Sequence, residues 1–406
     1  MNINKKPGKM IMDDPLKIFL TIDYSPWSAY NGGAQNSTHQ IASHLAKIGH
    51  DVTVIFSKPP WEKINVPGEL PYKLEWASLW AHKSTRKATF RFLTPLSVNK
   101  IILRNTRQDQ PFIVHSNGEE GGLIHKLRGK RTFGFISTPR HPHYPDYYRI
   151  ENPYFYQIAL HLFRNAKYEM QKSAAVNADY CSPPSFWSGD ELKKLFNIPD
   201  HKIRPVHNGV NPPFLKVQNL YSDKTGPILF FGRLSVTKGV DVLIEAYSKI
   251  DAESAPGLII IGRGELQNKL KNRVSELGLE QQITFIPWIS HEDLGDYLKT
   301  ASMAVLPSRE ENFSLAVLEA LCSGTPVIST KVGGTPEMIS DGENGLLVPP
   351  SDADALANAM RQLISDRNYA KSLGQKGSET VREQFTWQRT VEKFEALYRK
   401  ALEKYI

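Results

Sequence analysis

The stretch Pro307–Gly324, PSREENFSLAVLEALCSG, decides how the surrounding chain folds. The apolar run MAVLP at 303–307 predicts a short buried strand that ends at a proline. The residues after Ser314 have helical spacing that stops at Gly324, and Ser314 is a suitable N-cap. The sequence therefore predicts a strand, a loop and a helix in that order.

Two carboxylates lie in this unit, eight residues apart. Glu311 falls in the loop at the carboxyl end of the strand, and Glu319 falls near the second turn of the helix. In open α/β sheets ligands bind beyond the carboxyl ends of the strands, and a free helix N-terminus binds anions. A carboxylate beside an anion site needs another partner, such as sugar hydroxyls. Phosphate on one side and hydroxyls on the other describe a sugar nucleotide.

The spacing of Glu311 and Glu319 resembles the E-x7-E element of retaining glycosyltransferases. The longer stretch SREENFSLAVLEALCSGTPVISTKVGGTPEMISDGENGLLVPP at 308–350 resembles glycosyltransferase family 4, the group 1 glycosyl transferases. The resemblance implies a GT-B fold, in which two doubly wound Rossmann-like α/β domains face a central cleft. It is strong over 225–350 and weaker in the N-terminal half.

The length of 406 residues suits two domains rather than one core. We expect an N-terminal acceptor-binding Rossmann-like domain at 1–215 and a nucleotide-sugar-binding Rossmann-like domain at 216–387. The terminal helix, 388–406, is expected to cross back to the first domain, as in other GT-B folds.

The composition is that of a globular protein, with 40% apolar and 23% charged residues. The net charge of +8 suggests an anionic partner, which nucleotide phosphates or a membrane surface would supply without nucleic acid. Two cysteines without metal-ligand spacing fit a reducing compartment. We find no apolar leader segment and no run of 18 apolar residues, so we expect a cytoplasmic protein.

Two cations follow a predicted strand at 227–231. Arg233 comes directly after Gly232, and Lys238 precedes a helix, so both lie at the carboxyl edge of a sheet and can reach one diphosphate. Their stretch resembles the GRL-x(3)-KG motif of the family. The resemblance implies that both cations stabilise the departing diphosphate and that Glu311 binds hydroxyls of the donor sugar.

The resemblance implies further donor contacts. Glu319 would bind the ribose, the backbone amides at Ser314 and Leu315 would hold the distal phosphate, and a glycine pair after the first strand would lie near the donor phosphates. Two strand ends would hold the base. The remaining donor-binding candidates are Gly33, Gly264 and Trp288.

The N-terminal half offers fewer signals. Family members often place a histidine at the end of the strand that here reads RTFGFIS at 131–137, but the nearest histidines, His141 and His143, lie downstream. His141 is our candidate for the reacting sugar. The stretch 82–108 has seven basic and no acidic residues among apolar ones, which fits a solvated helix pair or a peripheral contact with an anionic membrane.

No metal site and no cofactor are expected. Asp352 and Asp354 match the D-x-D of another glycosyltransferase fold, but they open a helix, where an N-cap is the better explanation. Paired cations would then neutralise the leaving diphosphate.

The expected function is retaining transfer of a sugar from a nucleotide-diphosphate sugar to an acceptor hydroxyl, in glycan, lipid-linked or cell-surface polysaccharide assembly. A small-molecule acceptor stays open, as do the base and the sugar. The alternatives are a sugar-nucleotide epimerase of the same fold and a non-catalytic sugar-nucleotide-binding protein. A phosphorylase would need a lysine-bound pyridoxal phosphate, to which no motif points.

Overall fold

The computed structural model describes residues 14–28, 32–79, 93–139, 154–219, 226–251 and 255–405. The chain divides into two α/β units. The first consists of Met1–Val206 with Thr390–Ile406, and the second of His207–Arg389.

The first unit is built on a parallel sheet of six strands. These are β1 (Lys17–Asp23), β2 (Asp51–Lys58), β3 (Lys73–Ser78), β4 (Phe112–Ser116), β5 (Phe133–Ser137) and β6 (Tyr180–Cys181). Their order is β3-β2-β1-β4-β5-β6. The helices of its N-terminal part are α1 (Gly33–Lys47), α2 (Thr94–Arg104), α3 (Tyr154–Asn177) and α4 (Phe186–Phe196). The strands β4 and β5 are buried throughout, as expected where helices cover both faces of a parallel sheet.

The strand β3 was not apparent from the sequence pattern. It reads KLEWAS and lies at the edge of the sheet, where Ala77 is its one buried residue. Charged residues are common on edge strands because they discourage pairing with other chains. They also remove the apolar run by which the neighbouring strands are identified.

The second unit repeats this architecture. Its strands are β7 (Ile228–Phe231), β8 (Leu258–Ile261), β9 (Ile283–Ile286), β10 (Met303–Leu306), β11 (Val327–Thr330) and β12 (Leu346–Val348). Its helices are α5 (Val240–Tyr247), α6 (Gln267–Glu276), α7 (His291–Thr300), α8 (Leu315–Cys322), α9 (Ala353–Ser365) and α10 (Arg367–Gln384). The last helix, α11 (Trp387–Leu402), ends in the first unit.

The two sheets share one topology. The parallel order β12-β11-β10-β7-β8-β9 is the order of the first sheet read from the other end. In both sheets the winding direction reverses beside the first strand of the unit, between β1 and β4 and between β7 and β10. This order is that of doubly wound nucleotide-binding folds. It confirms the expected class of two doubly wound Rossmann-like α/β domains.

A hydrogen-bonded chain ties α11 into the core of the first unit. The ring of His115, at the end of β4, lies 2.7 Å from Tyr398 Oη through Nδ1 and 2.8 Å from Thr138 Oγ1 through Nε2. Thr138 Oγ1 donates in turn to the carbonyl of Ser182 at 2.7 Å. Because Thr138 uses its proton there, it accepts from His115 Nε2, and Nδ1 accepts from Tyr398. His115 is therefore held as one neutral tautomer.

We expect this histidine to make the first unit sensitive to acid. Burial lowers the pKa of His115 from 6.5 to about 3. The unfolded chain therefore binds a proton below pH 6.5 that the folded chain excludes, and stability falls as the pH drops from 6.5 towards 3. The loss between pH 7 and 4.5 is about 2–3 kcal/mol. Thermal unfolding midpoints should fall more steeply with acid in the wild type than in His115→Gln.

The exposed His201 provides the control for this measurement. His201→Gln should keep the wild-type acid dependence. Equal slopes for the wild type and His115→Gln would contradict the assignment.

Candidate active site

The predicted site residues of the second unit gather where its sheet reverses. The strands β7 and β10 are neighbours, with Ile228 paired to Met303 and Leu229 to Ala304. The loop after β7 carries Arg233 and Lys238, and the loop after β10 carries Glu311. Loops that leave adjacent parallel strands at a reversal point form a crevice at the carboxyl edge of the sheet.

Lys238 and Glu311 are in direct contact. Lys238 Nζ donates to Glu311 Oε2, and the two side chains are 28% and 14% exposed. The ion pair is thus partly buried and partly exposed to solvent. The structure brings together a cation and a carboxylate that sequence analysis assigned to one site, although 73 residues separate them.

A second ion pair joins the loop that carries Glu311 to α5, the helix that follows the loop of Lys238. Arg309 donates to both carboxylate oxygens of Asp241, at 2.8 and 2.7 Å, and to the carbonyl of Val236 at 2.8 Å. Its own amide donates to the carbonyl of Thr237 at 2.7 Å. Burial alone would raise the pKa of Asp241, but the hydrogen bonds and charge of Arg309 outweigh it and hold that pKa below its ordinary value. Sequence analysis missed this pair, which fixes the loop of Lys238 against that of Glu311.

We expect Arg309→Lys to disturb the site although the substitution keeps the positive charge. A lysine cannot reproduce the bidentate contact with Asp241. The variant should lose about 1–2 kcal/mol of stability, and the affinity for a nucleoside diphosphate should fall with it. Arg273→Lys is the matched control, because Arg273 binds both oxygens of Glu245 on helices of the same unit. Equal nucleotide affinity in the two variants would contradict a positioning role for Arg309.

The guanidinium group of Arg233 is available to a ligand. Its side chain is exposed and makes no hydrogen bond or ion pair within the described part of the chain. The backbone before it is tightly packed, since a Cβ on Gly262 would lie 1.9 Å from the carbonyl oxygen of Gly232. The loop therefore has a fixed backbone and a free charged side chain, as an anion site needs.

The helix α8 begins with unpaired amides, as predicted. Ser314 is its N-cap, and the side chain accepts from the amide of Val317 at 3.4 Å. The amides of Leu315 and Ala316 find no acceptor among the residues that the structure covers. Such a helix end attracts anions through its N–H groups and its dipole.

A glycine turn supports the loop that carries Glu311. Gly333 has a φ of +53°, and a Cβ there would lie 1.5 Å from the carbonyl oxygen of Glu311. The next amide, of Gly334, donates to the carbonyl of Asn312 at 3.2 Å. The pair Gly333-Gly334 is therefore a packing turn that sets the path of the chain beside the carboxylate.

Glu319 lies deeper than the other site residues. It is 5% exposed, and its Oε1 accepts from Asn211 Nδ2 at 2.6 Å. Burial raises the pKa of Glu319 to about 8, and the hydrogen bond from Asn211 opposes this rise. Sequence analysis did not identify Asn211. Its position in the motif HNGVN was a signal, but the contact joins residues 108 apart.

The candidate base contacts follow the strands β8 and β9. Gly264 packs closely, because a Cβ there would lie 2.2 Å from the carbonyl oxygen of Leu234. Trp288 is 68% exposed. Both lie at the carboxyl edge of the same sheet, since Ile261 of β8 pairs with Ile286 of β9. The structure thus gives Gly264 a packing role and leaves the Trp288 ring open to a ligand.

The predicted site residues of the first unit are only partly described. Gly33 is the first residue of α1, whose N-cap, Gly32, has no side chain to cap it. His141 and residues 82–92 of the basic stretch lie outside the described residues. Three buried carboxyls that sequence analysis missed, Asp23, Glu119 and Glu120, have oxygens within 4.8 Å of one another.

Two further features bear on earlier expectations. Asp352 caps α9 by accepting from the amide of Ala355 at 2.9 Å, which confirms the N-cap interpretation of the D-x-D sequence. Within the described ranges, none of the helices has the length and apolar character needed to cross a bilayer.

Comparison with known proteins agrees with this architecture. A family model described as Glycosyltransferase Family 4 matches residues 31–213, and one described as Glycosyl transferases group 1 matches residues 213–380. An uncharacterized glycosyltransferase of Methanocaldococcus jannaschii is 29% identical over 226 residues, which are 53% of this chain and 58% of the relative. The chain thus spans little more than half the length of that relative.

Solved structures resemble the chain over nearly its whole length. The sucrose-phosphate synthase of Thermosynechococcus elongatus has a TM-score of 0.79 at 24% identity, covering 96% of this chain and 100% of that one. The structure of HepE from Anabaena in complex with UDP-glucose has a TM-score of 0.70 at 18% identity, covering 94% and 99%. The two family models together span residues 31–380 without a gap, and the fold is that of the GT-B enzymes. The chain belongs to glycosyltransferase family 4, the group 1 glycosyl transferases.

Proposed function

We propose that the protein is a retaining glycosyltransferase that moves a sugar from a nucleotide-diphosphate sugar to an acceptor hydroxyl. One observation carries the proposal. The ion-paired Lys238 and Glu311 lie on the two loops that meet at the reversal point of the sheet, and Glu311 is four residues before the unpaired amide of Leu315. Cation, carboxylate and helix N-terminus are the groups that a diphosphate joined to a sugar needs.

The diphosphate would be bound by charge and by backbone amides. Arg233 is exposed and uncommitted, and Lys238 is reachable from solvent. The amides at Ser314 and Leu315 would hold the distal phosphate at the start of α8. Preorganised donors of this kind stabilise the negative charge that develops on the leaving group, so no metal ion is needed in this scheme.

The sugar and ribose would be bound by the two carboxylates. Glu311 would accept hydrogen bonds from the donor sugar and orient its ring, after exchanging part of its contact with Lys238. Glu319 would accept from the ribose hydroxyls. In the transfer step, the bond from the anomeric carbon to the acceptor oxygen forms as its bond to phosphate oxygen breaks, and the acceptor proton passes to the leaving phosphate.

The remaining contacts follow from position. Gly264 and Trp288 would line the site of the base. The structure of HepE with UDP-glucose supports a nucleotide sugar as donor.

The acceptor would be a glycan, a lipid-linked or a small molecule, and the setting the cytoplasm. The described part of the basic stretch 82–108 includes α2, which exposes Leu96 and Lys100 on one side. An exposed apolar residue beside a basic one suits a peripheral contact with anionic lipid at the inner face of the membrane.

A ligand screen followed by an activity assay tests the proposal. In thermal unfolding with UDP-, GDP- and ADP-sugars, the sugars of one nucleotide should stabilise the protein. The increase in unfolding free energy should be about 2.7 kcal/mol when the donor is present at 100 times its dissociation constant. The stabilising donor should then release its nucleoside diphosphate slowly to water and faster with an acceptor, also in EDTA. Absence of both binding and release with every donor would reject the proposal.

A further inference from the structure

A short segment contacts both the loop that carries Glu311 and the helix that carries Glu319. It is His207–Asn211, read HNGVN, with which the second unit begins. The ring of His207 stacks on Phe313, with centroids 5.1 Å apart and planes at 13°. At the other end of the segment, Asn211 Nδ2 donates to Glu319 Oε1 at 2.6 Å.

The segment is held by its own backbone. The amide of Val210 donates to the carbonyl of Phe385 at 2.8 Å. Gly209 lies so close to the next residues of that chain that a Cβ there would be 2.2 Å from the backbone nitrogen of Trp387. The position of Asn211 is therefore fixed independently of Glu319.

The contact between Asn211 and Glu319 is buried. The two residues are 4% and 5% exposed. A buried carboxyl group needs a hydrogen-bond donor, and an amide supplies one at every pH because it does not titrate. The bond to Oε1 fixes the rotation of the carboxyl group, so the direction in which its other oxygen accepts is fixed as well.

We propose that Asn211 is a positioning residue that holds Glu319 ready to accept hydrogen bonds from the ribose of a nucleoside diphosphate. The inference rests on the proposed function and adds a selectivity to it. A ribonucleotide offers a 2′-hydroxyl that a 2′-deoxyribonucleotide lacks, and a carboxyl group held in place discriminates between them. A carboxyl group free to rotate would lose that preference.

Few other charged groups act on Glu319 within the described residues. Cys322 lies one turn later on α8. Burial raises the pKa of its thiol to about 11, and the charge of Glu319 adds to this rise. Arg382 of α10 donates to the carbonyl of Cys322 at 3.2 Å and opposes that rise. Between pH 6 and 8 the Cys322 thiol keeps its proton, so a change in this range reports on Glu319 and its partner.

The test compares ribose with deoxyribose. Titration calorimetry with UDP, GDP and ADP and with their 2′-deoxy forms should show a preference of about tenfold for the ribonucleotide of the bound base. Asn211→Leu removes the donor without adding a charge and should reduce this preference to about twofold. Asn211→Ser keeps a donor and should retain part of the preference, also if the leucine variant fails to fold.

A buried asparagine elsewhere in the same unit provides the control. Asn219 is 5% exposed and donates to the carbonyls of Leu298 and Ala301 at 2.8 and 3.1 Å. Asn219→Leu should lower the unfolding temperature and leave the ribose preference intact. A full preference in Asn211→Leu would overturn the inference.

Failure of the proposed function and failure of the role of Asn211 give different results. If the wild type binds none of the three nucleotides, the proposed function and this inference both fall. If the wild type binds with a ribose preference that Glu319→Gln removes but Asn211→Leu does not, the function stands and the role of Asn211 is wrong. A wild type without any ribose preference also overturns this role.

Discussion

Replacing Lys238 with alanine is expected to lower kcat/KM for the nucleotide-sugar donor by about a thousandfold, which corresponds to about 4 kcal/mol of lost transition-state stabilisation. In the proposed mechanism the lysine meets the charge that develops on the departing diphosphate, and its Nζ donates to Glu311 at the reversal point. Donor binding and turnover should fall together, because the cation contacts the phosphates before and during bond breakage. The measurement is the release of nucleoside diphosphate as a function of donor concentration.

A second lysine of the same unit shows what loss of an ordinary ion pair does. Lys249 pairs with Asp354 at 2.6 Å, and both side chains are exposed. Lys249→Ala should leave kcat/KM within about twofold of the wild type, since surface pairs contribute little. If Lys238→Ala behaved like Lys249→Ala, the diphosphate would have to lie elsewhere.

Glu311→Gln is expected to separate binding from turnover. The glutamine cannot neutralise Lys238, so the lysine becomes more available to the diphosphate, and the affinity for a free nucleoside diphosphate should be equal to or greater than that of the wild type. Turnover of the nucleotide sugar should fall by a factor of about 100, because the ring of the sugar loses its charged acceptor. Calorimetry with the nucleoside diphosphate and initial rates with the complete donor measure the two quantities.

The neighbouring carboxylate is the matched control for this variant. Glu310 is exposed and lies one residue before Glu311. Glu310→Gln should change neither the affinity nor the rate by more than about twofold. A Glu311→Gln variant that loses affinity for the free nucleoside diphosphate would show that Glu311 acts on the phosphates by holding Lys238 in place. Unchanged turnover would remove Glu311 from the reaction.

The sequence predicted those parts of the structure that are encoded locally. The apolar run MAVLP and the cap at Ser314 specify β10 and the start of α8, because burial and N-capping act within a few residues. The motif around Arg233 and Lys238 likewise placed both cations after β7. Together these signals were sufficient for the fold class.

Contacts between distant residues were not predictable in the same way. The pair of Arg309 and Asp241 joins a loop to the first turn of a helix 68 residues away, and neither stretch of sequence indicates this contact. The same holds for Asn211, whose role depends on a helix that begins more than 100 residues later. Only the structure shows that the missing side chain of Gly333 makes room for the carbonyl of Glu311.

The most direct test is a crystal structure of the protein with the nucleoside diphosphate selected by calorimetry. The account predicts that the distal phosphate lies within about 3 Å of the backbone nitrogen of Leu315. It also predicts that Lys238 Nζ and the Arg233 guanidinium contact the diphosphate, with the ribose against Glu319. A nucleotide bound away from the start of α8, with the ion pair of Lys238 and Glu311 undisturbed, would contradict it.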